Sequence, residues 1–211
     1  AKKAATVDEI SGGRLILGLG AGWNETEYEA FGFPYDRRVT RFEEAFTIIR
    51  TLIREGSMDF GGEFYELSGM ELLPPARRDM KLLIGSNGPR MLRIAAPHVD
   101  MCNTWQSQSG NTPEWLAELM AVVDEAARDV GRDPSEIERT AAVLVKLEGG
   151  LGRRASSDRP VSRPVEGDVD EIAASLLRFA DVGVDHLQLV VDPIEVSSID
   201  FLAEVLVAVR G

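Results

Sequence analysis

Apolar positions along this chain follow two rhythms. In residues 40–55, "TRFEEAFTIIRTLIRE", Phe42, Ala45, Phe46, Ile49, Leu52 and Ile53 recur three or four apart. That spacing predicts an amphipathic helix, and Gly56 is its stop. Residues 14–20, "RLILGLG", are a compact apolar run bounded by glycines, which predicts a strand buried on both faces. Residues 81–84 predict a second buried strand, followed by Pro89 where a first helical turn accepts proline. Residues 99–104 predict a third. Thr112, Pro113 and Glu114 then open a long helix through Trp115, Leu116, Leu119, Val123, Ala126 and Val130, stopped by Gly131. Residues 140–147, "TAAVLVKL", predict a fourth strand. Asp168 with Glu171 forms a capping box for a helix carrying Ile172, Leu176, Leu177 and Ala180, closed by Gly183. Residues 186–192 predict a fifth strand, and Ser198 is the expected cap of a last helix through Leu202, Val205, Leu206 and Val209.

Between the first helix and the second strand, "MDFGGEFYELSG" sets Gly61 and Gly62 between two alternating aromatic arms, which predicts a small hairpin. Apart from it, buried strands alternate with amphipathic helices. That order specifies parallel β-α units, in an open doubly wound sheet or a (β/α)8 barrel. Five units are too few to close eight strands, which usually take about 250 residues. The chain starts without Met, and "AKKAATVDEISGGR" reads as the last turns of a helix ending in a Ser-Gly-Gly turn. An amino-terminal portion upstream of Ala1 is therefore expected. Residues 149–167, rich in Arg, Ser, Pro and Gly, are expected to form a flexible loop.

Composition narrows the function classes. With 211 residues and 44% hydrophobic content, a single domain with one sizeable core is the expectation. A formal charge of -12 repels phosphate backbones and argues against a nucleic-acid partner. An anionic ligand would need a local site. The one cysteine, Cys102, cannot form an internal disulfide and reads as a small buried core residue in a reducing compartment. Neither a membrane span nor a signal-peptide core is present in the sequence, so a cytoplasmic protein is expected. No His, Cys and carboxylate spacing reads as a metal site. No Ser-His-Asp arrangement is recoverable either, because His98 and His186 both precede strands.

The glycines of "RLILGLGAGWNETEYEAFG" first invite a nucleotide reading. Gly18, Gly20 and Gly22 give G-x-G-x-G, however, with Trp23 where a dinucleotide fingerprint needs its third glycine. Glycines that merely let a buried strand turn tightly are the simpler alternative. The same stretch, continuing through "FPYDRRVTRFEEAFTIIRTL", "GGEFYEL" and "LLIGSNGPRMLRIAAPHVDMCNTW" to "PVEGDVDEIAASLLRFADVGVDHLQLVVDP", resembles the bacterial luciferase-like monooxygenase family. It is most similar to the branch of flavin-dependent or coenzyme F-420-dependent oxidoreductases. The resemblance implies a (β/α)8 TIM barrel of which this chain supplies about the last five β-α units.

In such barrels the site is built from loops at the carboxyl ends of the strands. That rule points to Gly20, Ala21 and Gly22 as backbone that a planar cofactor ring can approach, with Trp23 and Asn24 beside the substrate. It points equally to "GSNGPR": Gly85, Ser86, Asn87, Gly88, Pro89 and Arg90 leave a strand and enter a helix, a setting suited to an anion. The resemblance implies that this loop binds the cofactor's phosphate. An ordinary turn with Arg90 on the surface is the alternative. Asn103 and Trp105 end the third strand as substrate-pocket candidates, although a core role for Trp105 is equally open. Glu25, Glu27 and Glu29 read as a solvated acidic segment, and Arg153, Arg154, Arg159 and Arg163 as a solvated loop or a lid over an anion.

The function implied is an oxidoreductase transferring hydride between a reduced flavin or deazaflavin and a small organic substrate, with a monooxygenase that uses oxygen as its other form. The cofactor would be coenzyme F-420 or FMN, and a homodimer is left open. No residue of the chain is assigned as catalytic acid or base. The alternatives are a non-catalytic or degenerate flavin-binding barrel and, from the first glycine turn, a nicotinamide-binding open sheet.

Overall fold

A computed structural model describes residues 1–86, 88–151 and 162–211. The chain divides into two compact units, residues 1–100 and 101–211.

The first unit opens with helix α1 (Lys2–Ile10), then strand β1 (Ile16–Leu19), a short helix α2 (Glu25–Ala30) and the long helix α3 (Arg38–Glu55). A hairpin of β2 (Ser57–Gly61) and β3 (Glu66–Glu71), strand β4 (Lys81–Ile84) and helix α4 (Pro89–Ala95) complete it. The apolar face expected on residues 40–55 is the face α3 buries: Phe42, Phe46, Leu52 and Ile53 are its buried positions, and Gly56 ends it in the left-handed conformation at φ 89°. β1 and β4 pair in parallel, Ile16 opposite Lys81 and Leu19 opposite Ile84. Leu82 and Ile84 are fully buried, whereas β1 is exposed or half-exposed at every position. The expectation that residues 14–20 are buried on both faces therefore fails in this structure. An apolar run records which face could be covered, not which neighbours cover it.

Arg54 ties the end of α3 to the start of β4. Its guanidinium donates to the Met80 carbonyl at 2.8 Å and to Asp100 at 2.9 Å, while the same Asp100 oxygen accepts the Leu82 N–H at 2.7 Å. α1 is held in a comparable way. The buried Asp8 carboxylate accepts the Leu15 N–H at 3.2 Å and pairs with Arg77 at 3.1 Å. The Arg77 hydrogen bond, reinforced by the Leu15 N–H, holds the Asp8 carboxyl below its ordinary value of 3.8 against the opposing effect of burial. A depressed carboxylate contributes stability above its unfolded value and loses it as the pH falls through the folded one. Urea melts from pH 6 to pH 2 should therefore show Asp8→Asn less stable than wild type at pH 6, with the gap closing as the pH falls below the ordinary value of 3.8. A gap that stays constant with pH would remove Asp8 from the acid limb.

The second unit runs β5 (Met101–Trp105), α5 (Pro113–Asp129), a 3-10 turn (Pro134–Glu136), β6 (Glu138–Lys146), α6 (Val169–Asp181), β7 (His186–Asp192) and α7 (Val196–Arg210). β6 pairs in parallel with β5 on one side and with β7 on the other. Seven successive positions of β6 are buried, as a central strand requires. α6 begins at the expected capping box, with Asp168 and Glu171 each accepting the other's backbone N–H. Its Ile172, Leu176 and Phe179 pack with Val143 and Val145 of β6 and with Leu202 and Val205 of α7. The expected cap of the last helix is displaced. Glu195 is the N-cap, and Ser198 lies inside the first turn, where its hydroxyl donates to the Pro193 carbonyl at 2.8 Å.

β5 ends at Trp105 opposite Ala142, yet β6 continues four residues further. A side chain takes over from the missing strand. The buried Asn111, at φ 62°, donates to the Leu144 and Arg163 carbonyls at 2.9 and 2.8 Å and accepts the Leu144 N–H at 2.8 Å. Cys102 is buried on β5, and burial pushes its thiol up to about 11. It is an inert core residue, as expected.

Candidate active site

In the first unit the parallel register puts the two expected loops side by side. Leu19 and Ile84 are partners, so Gly20 and Gly85 leave the carboxyl ends of neighbouring strands together. Beyond Leu19, Gly22 turns the chain at φ 73°, and a β-carbon there would meet the Tyr28 ring and hydroxyl at 2.9 Å. The carbonyls of this turn are taken in succession by side chains. Tyr28 Oη donates to Ala21, Arg38 Nε to Gly22 at 3.3 Å and Tyr35 Oη to Trp23 at 3.3 Å. Tyr28 and Tyr35 meet edge to face at 5.3 Å. Asn24 is the N-cap residue of α2, and its amide donates to Glu27 at 3.0 Å rather than to the helix backbone. The acidic segment read as solvated is thus a short helix with no buried residue.

Behind this turn lies a cleft of about 510 Å³. Gly20 and Ala21 line it with backbone, Tyr28, Phe33, Phe42 and Tyr65 with rings, and Arg38 and Arg41 with guanidinium groups. Tyr65 is delivered by the hairpin. The Glu44 carboxylate on α3 accepts the N–H groups of Glu63, Phe64 and Tyr65 at 2.7, 2.9 and 3.1 Å. Burial pushes the Glu44 carboxyl up, but these three donors and Arg37 together hold it below the ordinary value. Gly62 is required for so close an approach, since a β-carbon there would lie 2.4 Å from the Glu44 carboxylate.

The loop 85–90 meets the same helix. Gly88, extended at φ -69° and ψ 133°, is the N-cap of α4, and Pro89 is its first residue, as expected. Ser86 is half-buried and Asn87 lies outside the described residues. Arg90 turns to α3, donating to Thr40 Oγ1 at 3.0 Å and pairing with Glu43 at 3.0 Å. An anion at this loop would share Arg90 with Glu43, drawing on the remaining donors of its guanidinium.

In the second unit, Asn103 Oδ1 accepts a hydrogen bond from Thr140 at 2.7 Å, which leaves its amide nitrogen for a ligand. Trp105 is 40% exposed at the end of β5, which favours a surface or pocket role over a core one. The next residue, Gln106, is buried, and its Oε1 has no hydrogen-bond partner among the described residues. A second cleft, of about 740 Å³, lies between the end of β6 and the start of α7, with the Lys146–Glu166 ion pair on its wall. Of the loop arginines only Arg163 is described, its backbone bonded to Gly110 and Asn111; Arg153, Arg154 and Arg159 lie outside the described residues. Neither histidine joins either cleft. Among the described residues no group of His, Cys, Asp and Glu could hold a metal ion, and no helix is long and apolar enough to cross a membrane.

The family model for luciferase-like monooxygenases matches residues 1–148. The chain belongs to the luciferase-like monooxygenase family. A pyrimidine monooxygenase, RutA, of Escherichia coli O139:H28 is 33% identical over 138 residues, covering 63% of this chain and 35% of its own length. The chain thus corresponds to about a third of that relative. Among solved structures, an F-420-dependent secondary alcohol dehydrogenase in complex with an F-420-acetone adduct superposes on 100% of this chain and 74% of its own, at TM-score 0.77 and 21% identity. A riboflavin lyase with modified FMN and substrate riboflavin covers 99% of this chain and 66% of its own, at TM-score 0.77 and 17% identity. These likenesses show the fold: an α/β chain that makes up part of a luciferase-like TIM barrel.

For this luciferase-like chain the sequence located the turn after β1 and the loop after β4, but not the walls between them. Tyr28, Phe33, Arg38, Arg41 and Tyr65 went unnoticed as cleft residues because they share no periodicity. The signal available was local: "FGFPYDRRVTR" crowds aromatic and basic residues into a chain that is otherwise acidic.

Proposed function

We propose that this chain is the ring- and phosphate-holding portion of an oxidoreductase that transfers hydride between a reduced flavin or deazaflavin and an organic substrate. The observation that carries the reading is the parallel pairing of Leu19 with Ile84, which starts the two glycine loops from one strand end beside an aromatic cleft. The residues present fit a planar group. A β-carbon on Gly20 would meet nothing within 4 Å, so backbone there lies open to a flat ring, and Gly85 is equally unobstructed. Gly85, Ser86, Gly88 and Arg90, with Asn87, would hold the phosphate through backbone amides, hydroxyl and guanidinium. Gly20, Ala21 and Gly22 would face the ring, with Trp23 and Asn24 toward the substrate. When bound, the flavin or deazaflavin supplies the hydride chemistry; the protein orients it and excludes water.

The relatives support both cofactors: one neighbour binds an F-420 adduct and another a modified FMN. The pyrimidine monooxygenase supports a small planar substrate and the use of oxygen. Mixing the protein with reduced FMN or reduced F-420 under air tests the reading. Saturable binding with substrate-dependent oxidation is expected, and oxygen uptake with FMN would mark the monooxygenase form. Binding without turnover on any substrate class would leave a flavin-binding barrel without activity. Failure to bind either cofactor would overturn the proposal.

A further inference from the structure

The cleft carries a feature that ring binding does not require. Four arginines of the first unit are matched by a carboxylate: Arg37 by Glu63, Arg54 by Asp100, Arg77 by Asp8 and Arg90 by Glu43. Arg38 is not. Its Nε donates to the Gly22 carbonyl, its guanidinium lies 4.6 Å from the Tyr35 ring centroid, and it forms no ion pair among the described residues. Arg41 is nearly so. Its closest carboxylate oxygen, on Asp36, is 3.8 Å away, its Nε reaches the Asp36 carbonyl at 3.4 Å, and its guanidinium lies 4.0 Å from the Phe64 centroid. Stacking on rings fixes both guanidinium planes while leaving in-plane N–H donors available.

Both arginines are partly buried and both line the aromatic cleft. They also stand in the first turn and a half of α3, where no acidic residue and no side-chain cap offsets the positive helix end. Two cations at that end raise the cost of the arrangement. An anion held between them would lower it.

We propose that this cleft selects planar organic acids: the rings of Tyr28, Phe33, Phe42 and Tyr65 take the flat body, and Arg38, assisted by Arg41, takes the carboxylate. A guanidinium meets a carboxylate through two parallel N–H donors, and a half-buried setting strengthens the pair. An uncharged isostere of the same shape leaves those donors unpaired. The inference names a substrate class for the site proposed above and so rests on that reading.

Benzoate and benzamide, matched in ring and size, are the probes. In calorimetric titration of the protein at low salt, benzoate is expected to bind about ten-fold more tightly than benzamide. Arg38→Met should abolish that preference, Arg41→Met should reduce it, and Arg128→Met, an exposed arginine on α5, should leave it intact. Inorganic phosphate should compete only weakly, because it lacks a ring. Equal binding of the two probes to wild type overturns the proposal without recourse to any variant. So does a preference that survives Arg38→Met, or phosphate binding as tight as benzoate, which would mark a general anion site. Reduced-cofactor binding measured on the same samples separates the two readings. Cofactor bound with benzoate and benzamide equal overturns the acid selectivity alone; benzoate preferred with no cofactor bound overturns the flavin reading alone.

Discussion

Replacing Asn111 by aspartate is expected to cost about 3 kcal/mol or more of folding stability. The amide makes three hydrogen bonds from a buried position: two as donor, to the Leu144 and Arg163 carbonyls, and one as acceptor, from the Leu144 N–H. An ionised carboxylate reverses the polarity of the two donor bonds and sets a charge against two carbonyl oxygens. A protonated one restores a single donor. The introduced carboxyl should therefore be easier to protonate when folded, and the loss should shrink as the pH falls from 7 toward about 4, the ordinary range of an unfolded aspartate. Aspartate tolerates the left-handed backbone about as well as asparagine does, so the φ of 62° does not contribute to the difference. Asn111→Gly supplies the comparison: it keeps the backbone conformation and removes all three bonds, and it should show no recovery in acid. Urea melts of the three proteins at pH 7 and pH 4 check this. A pH-independent loss in Asn111→Asp would mean that the end of β6 does not depend on the amide's polarity.

Gly22→Val should strongly weaken ligand binding in the first-unit cleft while leaving the chain folded. A β-branched residue at φ 73° costs about 1–3 kcal/mol in backbone strain alone. The larger consequence is steric, since the new β-carbon would sit 2.9 Å from the Tyr28 ring and hydroxyl. Tyr28 would have to leave, breaking its bond to the Ala21 carbonyl and its contact with Tyr35, and it is itself a wall of the cleft. Affinity for the reduced cofactor or for benzoate is expected to fall by at least about ten-fold, well beyond the change in melting temperature. Gly20→Ala is the contrast in stability. Its β-carbon meets nothing within 4 Å and its φ is not positive, so melting should shift by no more than about 0.5 kcal/mol. Unaltered ligand affinity in Gly22→Val would remove this turn from the site.

The two units differ in how openly the sequence declared them. The second unit was legible almost element by element: the capping box at Asp168, the proline opening α5 and the buried run of β6 all lie where pattern and end signals put them. Those signals are local, because a cap or a 3.6-residue stripe is complete within one turn or one helix. What was missed was tertiary. Ser198 reads as a cap yet bonds back to Pro193, and the acidic α2 has no apolar stripe to announce it.

By itself the sequence determined the alternation of strands and helices, the family resemblance, and the two glycine loops that follow β1 and β4. Those follow from periodicity, turn chemistry and a long collinear match, all properties of neighbours along the chain. Only the tertiary structure decided that Leu19 and Ile84 lie abreast and so bring the loops together, and that Glu44 holds the hairpin so that Tyr65 walls a cleft. It alone decided that Arg90 pairs with Glu43 while Arg38 meets no carboxylate among the described residues. Each of these pairs residues roughly twenty to sixty-five positions apart, or reports a contact not made. Which of several carboxylates an arginine meets depends on the distances that packing sets, and no spacing along the chain encodes that choice.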